Sequence, residues 1–378
     1  MKKRASTIIY ILTILALSAF SFLLHPVSAR TALATVVNPE LFGSVMEDFF
    51  QHSLPFADTL RDVCLQLRMA GGAEEFDGIV LANDGLIENF APSGDSSLRK
   101  GNTAAVRRFA EDSGIPTHLM IVPTACAIYQ EQLPARLDLY NQKRFIEETY
   151  RSLSGQVTAI DVYPALYSAR GDYLYYRSDS RLTSLGGYTV YQTMAKRLGL
   201  TPYQEFSLDR VSHDFYGDLY DRWGYGGVKP DIITLYHNQS AERSFEVYHW
   251  DRYEERTYYS LYPAEAAVSG GEDSIILGGH SPRIEITAVG APGQSLLVLG
   301  DRDTLSYLPF LAPHYSKITY LDLTLLTQWE IEDLAAYGYD QVLFSCDLSS
   351  YLNTDIFSRA AGMTLTAPEE PEAPQREG

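Results

Sequence analysis

The feature of the sequence that most constrains its fold is a set of short, nearly continuous apolar runs separated by helix-length segments. The first run is "THLMIVPT" (117–124), and "SLLVLGD" (295–301), "KITYLDL" (317–323) and "DQVLFSC" (340–346) follow near the end of the chain. Runs of this kind are typical of strands buried on both faces, and their alternation with helices indicates a parallel sheet. We therefore predict an α/β fold with a mostly parallel central sheet and helices on both faces.

Helical spacing, caps and turn residues define further elements around this sheet. Gly114 ends one helix, and Thr183 or Ser184 caps another. The predicted helices span 102–113, 140–153 and 184–198, with two more over 39–68, and the additional predicted strands are 157–166 and a hairpin over 76–90 that turns at Asn83, Asp84 and Gly85.

The pattern changes between about 200 and 292, where the chain becomes aromatic and rich in turns. Runs such as "VYHWDRYEERTYYSLY" read as strands, so we predict an aromatic-rich insertion or cap at the edge of the sheet. Aromatic rings at this density either pack in a core or stack on sugar rings. The candidate stacking residues are Tyr216, Tyr220, Trp223, Tyr225, Trp250 and Tyr253.

The N-terminus has the pattern of an export signal. Three basic residues precede the uncharged apolar stretch 8–24, and "HPVSA" places small residues before a cleavage point after Ala29. The apolar stretch is almost long enough to cross a membrane, so an uncleaved anchor remains a second possibility. We predict that residues 1–29 are a signal peptide or membrane anchor and that the protein is extracellular or at the cell surface.

The remainder of the chain is expected to form one domain, over residues 30–366, that contains the 200–292 insertion. The last residues, 367–378, are rich in proline and glutamate, and they are predicted to be a disordered acidic tail.

Charge and motif content exclude several classes of function. The net charge of −18 makes nucleic acid an unfavourable partner. Neither Gly71-Gly72 nor Gly226-Gly227 belongs to a nucleotide-binding fingerprint, and no His, Asp or Glu cluster has metal-ligand spacing along the sequence. We therefore predict no cofactor and no metal. The three cysteines, read as core residues with one disulfide still possible, are Cys64, Cys126 and Cys346.

Ligands of open α/β sheets bind beyond the carboxyl ends of the strands, so the residues after each predicted strand are the site candidates. The loop 177–183 joins them, because it precedes the helix that packs back on the sheet. This set contains carboxylates and arginines but no histidine. Its other members are Pro123-Thr124, Asp161-Val162-Tyr163, Asp301-Arg302-Asp303 and Asp322.

Several stretches of the chain resemble the DHHW family of exported bacterial proteins, which is related to the SGNH hydrolases and to proteins that O-acetylate alginate. The resemblance runs from about residue 39 to 362 and implies a three-layer, SGNH-hydrolase-like (flavodoxin-like) fold. The stretches are "VPTACAIYQEQLP" (122–134), "DVYPALYSARGDYLYYRSDSRLTSLGGYTVYQTMAKRLG" (161–199), "SHDFYGDLYDRWGYGGVKPDIITLY" (212–236), "LGGHSPRIEI" (277–286) and "LLVLGDRDTLSYLPFLAPHYSKITYLDL" (296–323).

The motif that names the family is altered in this chain. The family has an Asp-His-His-Trp run followed by "TSLG", whereas this chain has "DSRL" (179–182) followed by "TSLG". The resemblance implies that Asp179 is the triad acid and that Arg181 occupies the position of the triad histidine. It also implies that Arg302 stands where relatives carry the nucleophilic serine.

An arginine cannot act as the base of a triad, because it stays protonated at physiological pH. Buried charges are costly when unpaired, so the substitutions should balance one another. We therefore predict that Arg181 or Arg302 hydrogen-bonds a carboxylate among Asp179, Asp301 and Asp303. The candidate binding residues are Arg181, Asp301, Arg302, Asp303 and His280, the last in the Gly-rich turn "LGGHSP".

Three interpretations of function remain open. The first is a scaffold that has lost catalysis and retains a binding or scaffolding role, with a cell-envelope polysaccharide or acetylation machinery as partner and the membrane reached through the N-terminal segment. The second is an active acetyl-esterase or O-acetyltransferase with relocated groups. The third is a glycan-binding module that uses the aromatic insertion. The groups available to the second are Ser178, Ser180, Ser306, His213, His280 and His314.

Overall fold

The computed structural model describes residues 75–82, 85–223, 228–241, 243–290, 292–327, 330–331 and 338–360. Within these ranges, none of the helices combines the length and the apolar character needed to cross a membrane. Predictions that fall outside them remain predictions: the signal or anchor over 1–29, the helices within 39–68, the turn residues Asn83 and Asp84, Cys64, Tyr225, both glycine pairs and the acidic tail over 367–378.

An eight-stranded sheet organises the described chain. Five strands run parallel in the spatial order β5 (Thr158–Ala159), β4 (Thr117–Val122), β13 (Gln341–Asp347), β11 (Ser295–Gly300) and β12 (Lys317–Asp322). Three antiparallel strands complete it: β10 (Arg283–Ala288), β8 (Phe245–Trp250) and β9 (Glu255–Tyr258).

The apolar runs form the centre of this sheet, as predicted. All six residues of β4 are buried, and so are all residues of β11 and β12 but the first and all residues of β13 but the first and the last. Strands buried along their whole length must be covered on both faces. The α/β fold with a mostly parallel central sheet is therefore confirmed.

The described residues form further short strands, helices and 3₁₀ turns. Their bounds are β1 Glu75–Phe76, β2 Ile79–Leu81, β3 Leu86–Glu88, α1 Ser96–Ser113, α2 Ala125–Ile128, α3 Gln142–Ser152, α4 Tyr163–Ser168, α5 Ser184–Arg197, β6 Phe206–Phe215, α6 Asp218–Trp223, β7 Asp231–Asn238, α7 Ala264–Gly270, α8 Leu308–Leu311 and α9 Leu348–Asn353, with 3₁₀ turns at Gln130–Gln132, Glu272–Ile275, Arg302–Ser306, Ala312–His314 and Ser358–Ala360.

Two predicted boundaries are wrong for local reasons. The helix predicted from residue 102 begins at Ser96, because the side chain of Asp95 caps it by accepting a hydrogen bond of 2.8 Å from Ser97 N. The strand predicted over 157–166 is only two residues long. Asp161 accepts a bond from Tyr163 N, and Pro164 lies in the first turn of α4, where its missing N–H is tolerated.

The aromatic segment over 200–292 divides into two parts. Strands β6 and β7 pair with each other in a separate two-stranded sheet, whereas β8, β9 and β10 extend the edge of the central sheet. Trp223 is 1% exposed and therefore packs in the interior, which corrects its assignment as a sugar-stacking residue. Tyr253 is 94% exposed.

Candidate functional site

The loop 177–183 is held in place by an aspartate from the inserted segment 200–292. The buried carboxylate of Asp231, at the start of β7, accepts bonds of 2.8 Å from the backbone N–H groups of Arg177 and Ser178. It also accepts hydrogen bonds from the hydroxyls of Ser178 and Tyr173. Four donors on one buried carboxylate fix the path of the loop. The sequence reasoning missed Asp231, although an acid at the start of an apolar strand is a signal for such a role.

Asp179 and Arg181 form a two-pronged ion pair within this loop. Arg181 donates from Nε to Asp179 Oδ1 over 2.7 Å and from Nη2 to Oδ2 over 2.5 Å. The side chain of Asp179 is 1% exposed. Burial alone would raise the pKa of the Asp179 carboxyl, but the hydrogen bonds and charge of Arg181 outweigh burial and hold this pKa below its ordinary value. The predicted pairing of Arg181 with Asp179 is confirmed.

The pair extends through Asp273 to the second arginine. Arg181 Nη1 and Arg302 Nη2 donate to the same oxygen of Asp273, Oδ2, over 2.9 and 2.8 Å. We call Asp179, Arg181, Asp273 and Arg302 the ion-pair chain. Asp179, Arg181 and Arg302 thus converge, as the family resemblance implies, but the partner of Arg302 is Asp273 and not Asp301 or Asp303. The sequence reasoning missed Asp273, which lies in a 3₁₀ turn of the inserted segment.

The two acids that flank Arg302 belong to a separate acidic cluster. Carboxylate oxygens of Asp301, Asp303 and Asp347 lie within 4.8 Å of one another. Three oxygen donors suit a divalent cation, and they come together although no such spacing exists along the sequence: two of the acids follow β11 and the third ends β13. The sequence spacing could not reveal a group assembled from two strand ends.

Burial and mutual repulsion raise the pKa values of the carboxyls in the acidic cluster. Burial raises the pKa of Asp301 to about 8 and, together with the charge of Asp301, that of Asp347 to about 6. The pKa of Asp303 is raised well above its ordinary value by burial and by Asp347. Asp301 Oδ2 accepts a bond from Asp347 N, and its buried Oδ1 has no hydrogen-bond partner in the described chain. At neutral pH the cluster therefore carries fewer than three negative charges.

His280 is oriented by a buried carboxylate. Its Nε2 lies 2.5 Å from Oδ2 of Asp322, a fully buried residue at the end of β12. Asp322 also accepts bonds from Tyr320 and Thr324. Burial would raise the pKa of Asp322, but His280 and Thr324 lower it on balance. The dyad has the base and the orienting acid of a catalytic triad, but Asp322 is the one hydrogen-bond partner of His280 in the described chain.

The remaining sequence candidates are distributed elsewhere. Ser178 bonds Asp231, and His213 is exposed on β6. His314 bonds the hydroxyl of Tyr191 over 2.8 Å, and burial lowers its pKa to about 4, which fits a structural role. Cys126 and Cys346 are buried free cysteines, as expected of core residues.

Two cavities of opposite character lie side by side, with Leu182 lining both. The basic cavity, of about 320 Å³, is lined by Arg181, Arg256, Arg302, His280, Asp273 and Ser306 among others. The acidic cavity, of about 80 Å³, is lined by Glu88, Asp303 and Asp347, and none of the described residues around it is basic. Ser180 lines the acidic cavity, away from His280.

Comparison with known proteins gives structural neighbours of the chain and a match to a family model. Among solved structures, the chain is similar to a DHHW family protein from Eubacterium siraeum, with 20% identity, a TM-score of 0.61 and coverage of 78% of this chain and 97% of the other. It is also similar to PatB1 of Bacillus cereus, with 16% identity, a TM-score of 0.57 and coverage of 74% and 98%. No curated protein sequence matches it. Residues 102–318, more than half of the chain, match the family model described as DHHW protein, and the chain therefore belongs to the DHHW family.

Proposed function

We propose that this protein is an exported member of the DHHW family that binds or scaffolds a cell-envelope glycan and has no ester-hydrolysing or acetyl-transferring activity. The observation that carries the proposal is the fork of Arg181 on Asp179, at 2.7 and 2.5 Å. Asp179, which the resemblance assigns as the triad acid, pairs with the guanidinium of Arg181 and therefore orients no imidazole.

The charge state of Arg181 makes this arrangement permanent. Its pKa, already far above neutrality, is raised further by Asp179 and Asp273, although burial opposes the rise. A group that never releases its proton cannot accept one from a nucleophile. With arginine also at the serine position, both halves of the reaction are missing, a loss of roughly six orders of magnitude in rate in well-studied triads.

A glycan partner and an extracellular location are part of the same proposal. The sequence supports export through the basic residues and apolar stretch of the N-terminus, which lie outside the described residues. The resemblance to proteins that O-acetylate alginate supports a polysaccharide or its acetylation machinery as partner. The net charge of −18 disfavours nucleic acid.

The test is a pair of assays on the purified protein with a generic acetyl ester, one for hydrolysis and one for transfer to a sugar acceptor. A DHHW-family relative that keeps the full motif serves as the positive control. The proposal expects no turnover above the buffer rate for this chain. Turnover at a rate comparable to that of the relative would contradict it.

A second candidate, an active esterase or O-acetyltransferase, is favoured by one observation. His280 and Asp322 form an oriented dyad at 2.5 Å, and the hydroxyl of Ser306 lines the same basic cavity. If this cavity catalyses the reaction, Ser306→Ala and His280→Gln should each abolish turnover. Ser180→Ala, outside that cavity, should leave it unchanged.

A further inference from the structure

The basic cavity concentrates positive charge around one carboxylate. Arg181, Arg256 and Arg302 line it, and Asp273 is the single acidic residue among the described residues of its wall. Arg181 is already paired at every nitrogen, because its Nε and Nη2 donate to Asp179 and its Nη1 donates to Asp273. The other two arginines are not.

Several hydrogen-bond donors of the cavity wall are unused. Arg302 is 44% exposed, and it donates one of its five N–H groups, on Nη2, to Asp273, whereas its Nε and Nη1 have no acceptor among the described residues. Among the described residues, the one ion pair of Arg256 is with Glu254, over 3.6 Å. Neither His280 Nδ1 nor Ser306 Oγ makes a hydrogen bond within the described chain. Because Nη2 of Arg302 carries a second N–H, one edge of this guanidinium keeps two parallel N–H groups, which match the geometry of a carboxylate or phosphate.

The loop that presents His280 is strained in a way that shapes the cavity. Leu277, Gly278 and Gly279 adopt consecutive left-handed conformations, with φ of 57°, 86° and 93°. A Cβ at Gly278 would lie 2.4 Å from the ring of Tyr258, so only glycine allows this close approach. Leu277 is an unfavourable residue for such a conformation, and strain of this kind is concentrated at functional sites.

We infer that the basic cavity binds an oxyanion, the carboxylate or phosphate group carried on one sugar unit of a glycan. Arg302 donates hydrogen bonds to the oxyanion through its free N–H groups, and Arg256 contributes a second positive charge. His280 and Ser306 complete the set of donors. The cavity volume of about 320 Å³ lies at the lower end of the range for small-molecule sites. The inference rests on the proposed function, because it specifies the ligand class of a protein that binds without catalysis.

The experiment is isothermal titration calorimetry of the full chain with four probes: inorganic phosphate, glucuronate, glucuronate methyl ester and glucose. Glucuronate or phosphate should bind, and the better of the two identifies the carboxylate or phosphate source. The neutral ester and glucose should bind at least about tenfold more weakly, since each lacks the charge-assisted bonds.

Variants locate the binding. Arg302→Gln and Arg256→Gln should each weaken oxyanion binding by about tenfold or more. The matched control is Arg170→Gln, which removes an arginine of similar exposure, 39%, outside the basic cavity and should leave affinity unchanged. Affinity that survives Arg302→Gln, or a parent protein that binds neither anion, would overturn the inference.

The outcome also separates the inference from the proposed function. Glucose bound as tightly as glucuronate overturns the oxyanion site but leaves a binding role without catalysis intact. Acetyl-ester turnover together with Arg302-dependent anion binding overturns the proposed function and leaves the oxyanion site standing.

Discussion

Asp179 and Asp301 are both buried aspartates near the C-terminal ends of the parallel strands, yet their charge states differ. The fork of Arg181 lowers the pKa of Asp179, whereas Asp301 has no basic partner in the described chain and burial raises its pKa to about 8. The presence of a cation, not the depth of burial, therefore decides which carboxylate is ionised. Arg302 and Asp303 are neighbours in sequence but belong to different groups. Arg302 donates to Asp273 in the ion-pair chain, whereas Asp303 lies beside Asp347 in the acidic cluster.

The largest effect on stability should come from breaking the ion pair between Arg181 and Asp179. Arg181→Met keeps roughly the volume of the side chain but leaves Asp179 buried without a cationic partner, at a cost of about 3–5 kcal/mol in the free energy of unfolding. Arg302→Met removes a guanidinium that is 44% exposed and should cost less than about 1 kcal/mol. Urea unfolding measures both. Equal costs would mean that Asp179 does not depend on Arg181.

A smaller effect should follow from crowding Asp179. A Cβ at Gly217 would lie 2.3 Å from Asp179 Oδ2, so Gly217→Ala must displace the carboxylate, at about 1–3 kcal/mol. Gly171→Ala is the matched control, because nothing lies within 4 Å of its Cβ position. Thermal unfolding of the two variants should separate them clearly. If Gly217→Ala unfolds at the same temperature as the control, the loop does not keep Asp179 in close contact with residue 217.

The acidic cluster should make the free energy of unfolding depend on pH. The pKa of Asp301 rises from 3.8 to about 8 on folding, so the folded state binds this proton more tightly and stability falls as pH rises from about 4 to about 8. Asp301→Asn removes that dependence. Its free energy of unfolding, relative to the parent, should increase by at least about 1 kcal/mol between pH 4 and pH 8. A difference that stays constant with pH would contradict a protonated Asp301.

The smallest expected effect is that of a divalent cation. At pH 5 the raised pKa values of Asp301 and Asp347 keep the cluster protonated, so millimolar Mg²⁺ or Ca²⁺ should leave the melting temperature unchanged. A shift of several degrees at this pH would mean that the cation, not a proton, neutralises the cluster.

The sequence predicted what depends on short-range patterns. Apolar runs located β4, β11, β12 and β13. The family resemblance together with charge balance named Asp179 and Arg181, two residues apart, among the candidates for an ion pair. The sequence did not predict Asp231 or Asp273, because both reach the loop by tertiary contact from the inserted segment. The acidic cluster was missed for the same reason, since Asp347 joins Asp301 and Asp303 only when β13 pairs with β11.

The central claim is that the ion-pair chain occupies the crevice in place of a triad, and acetyl-ester hydrolysis tests it most directly. The parent chain and the double variant Arg181→His with Arg302→Ser should be assayed side by side, with Arg181→His alone as the control that lacks a nucleophile. We predict no turnover above the buffer rate for the parent or the control, and measurable hydrolysis by the double variant. Turnover by the parent that persists in Asp179→Asn would contradict the account, because the reaction would then proceed without the residues to which we assign the crevice.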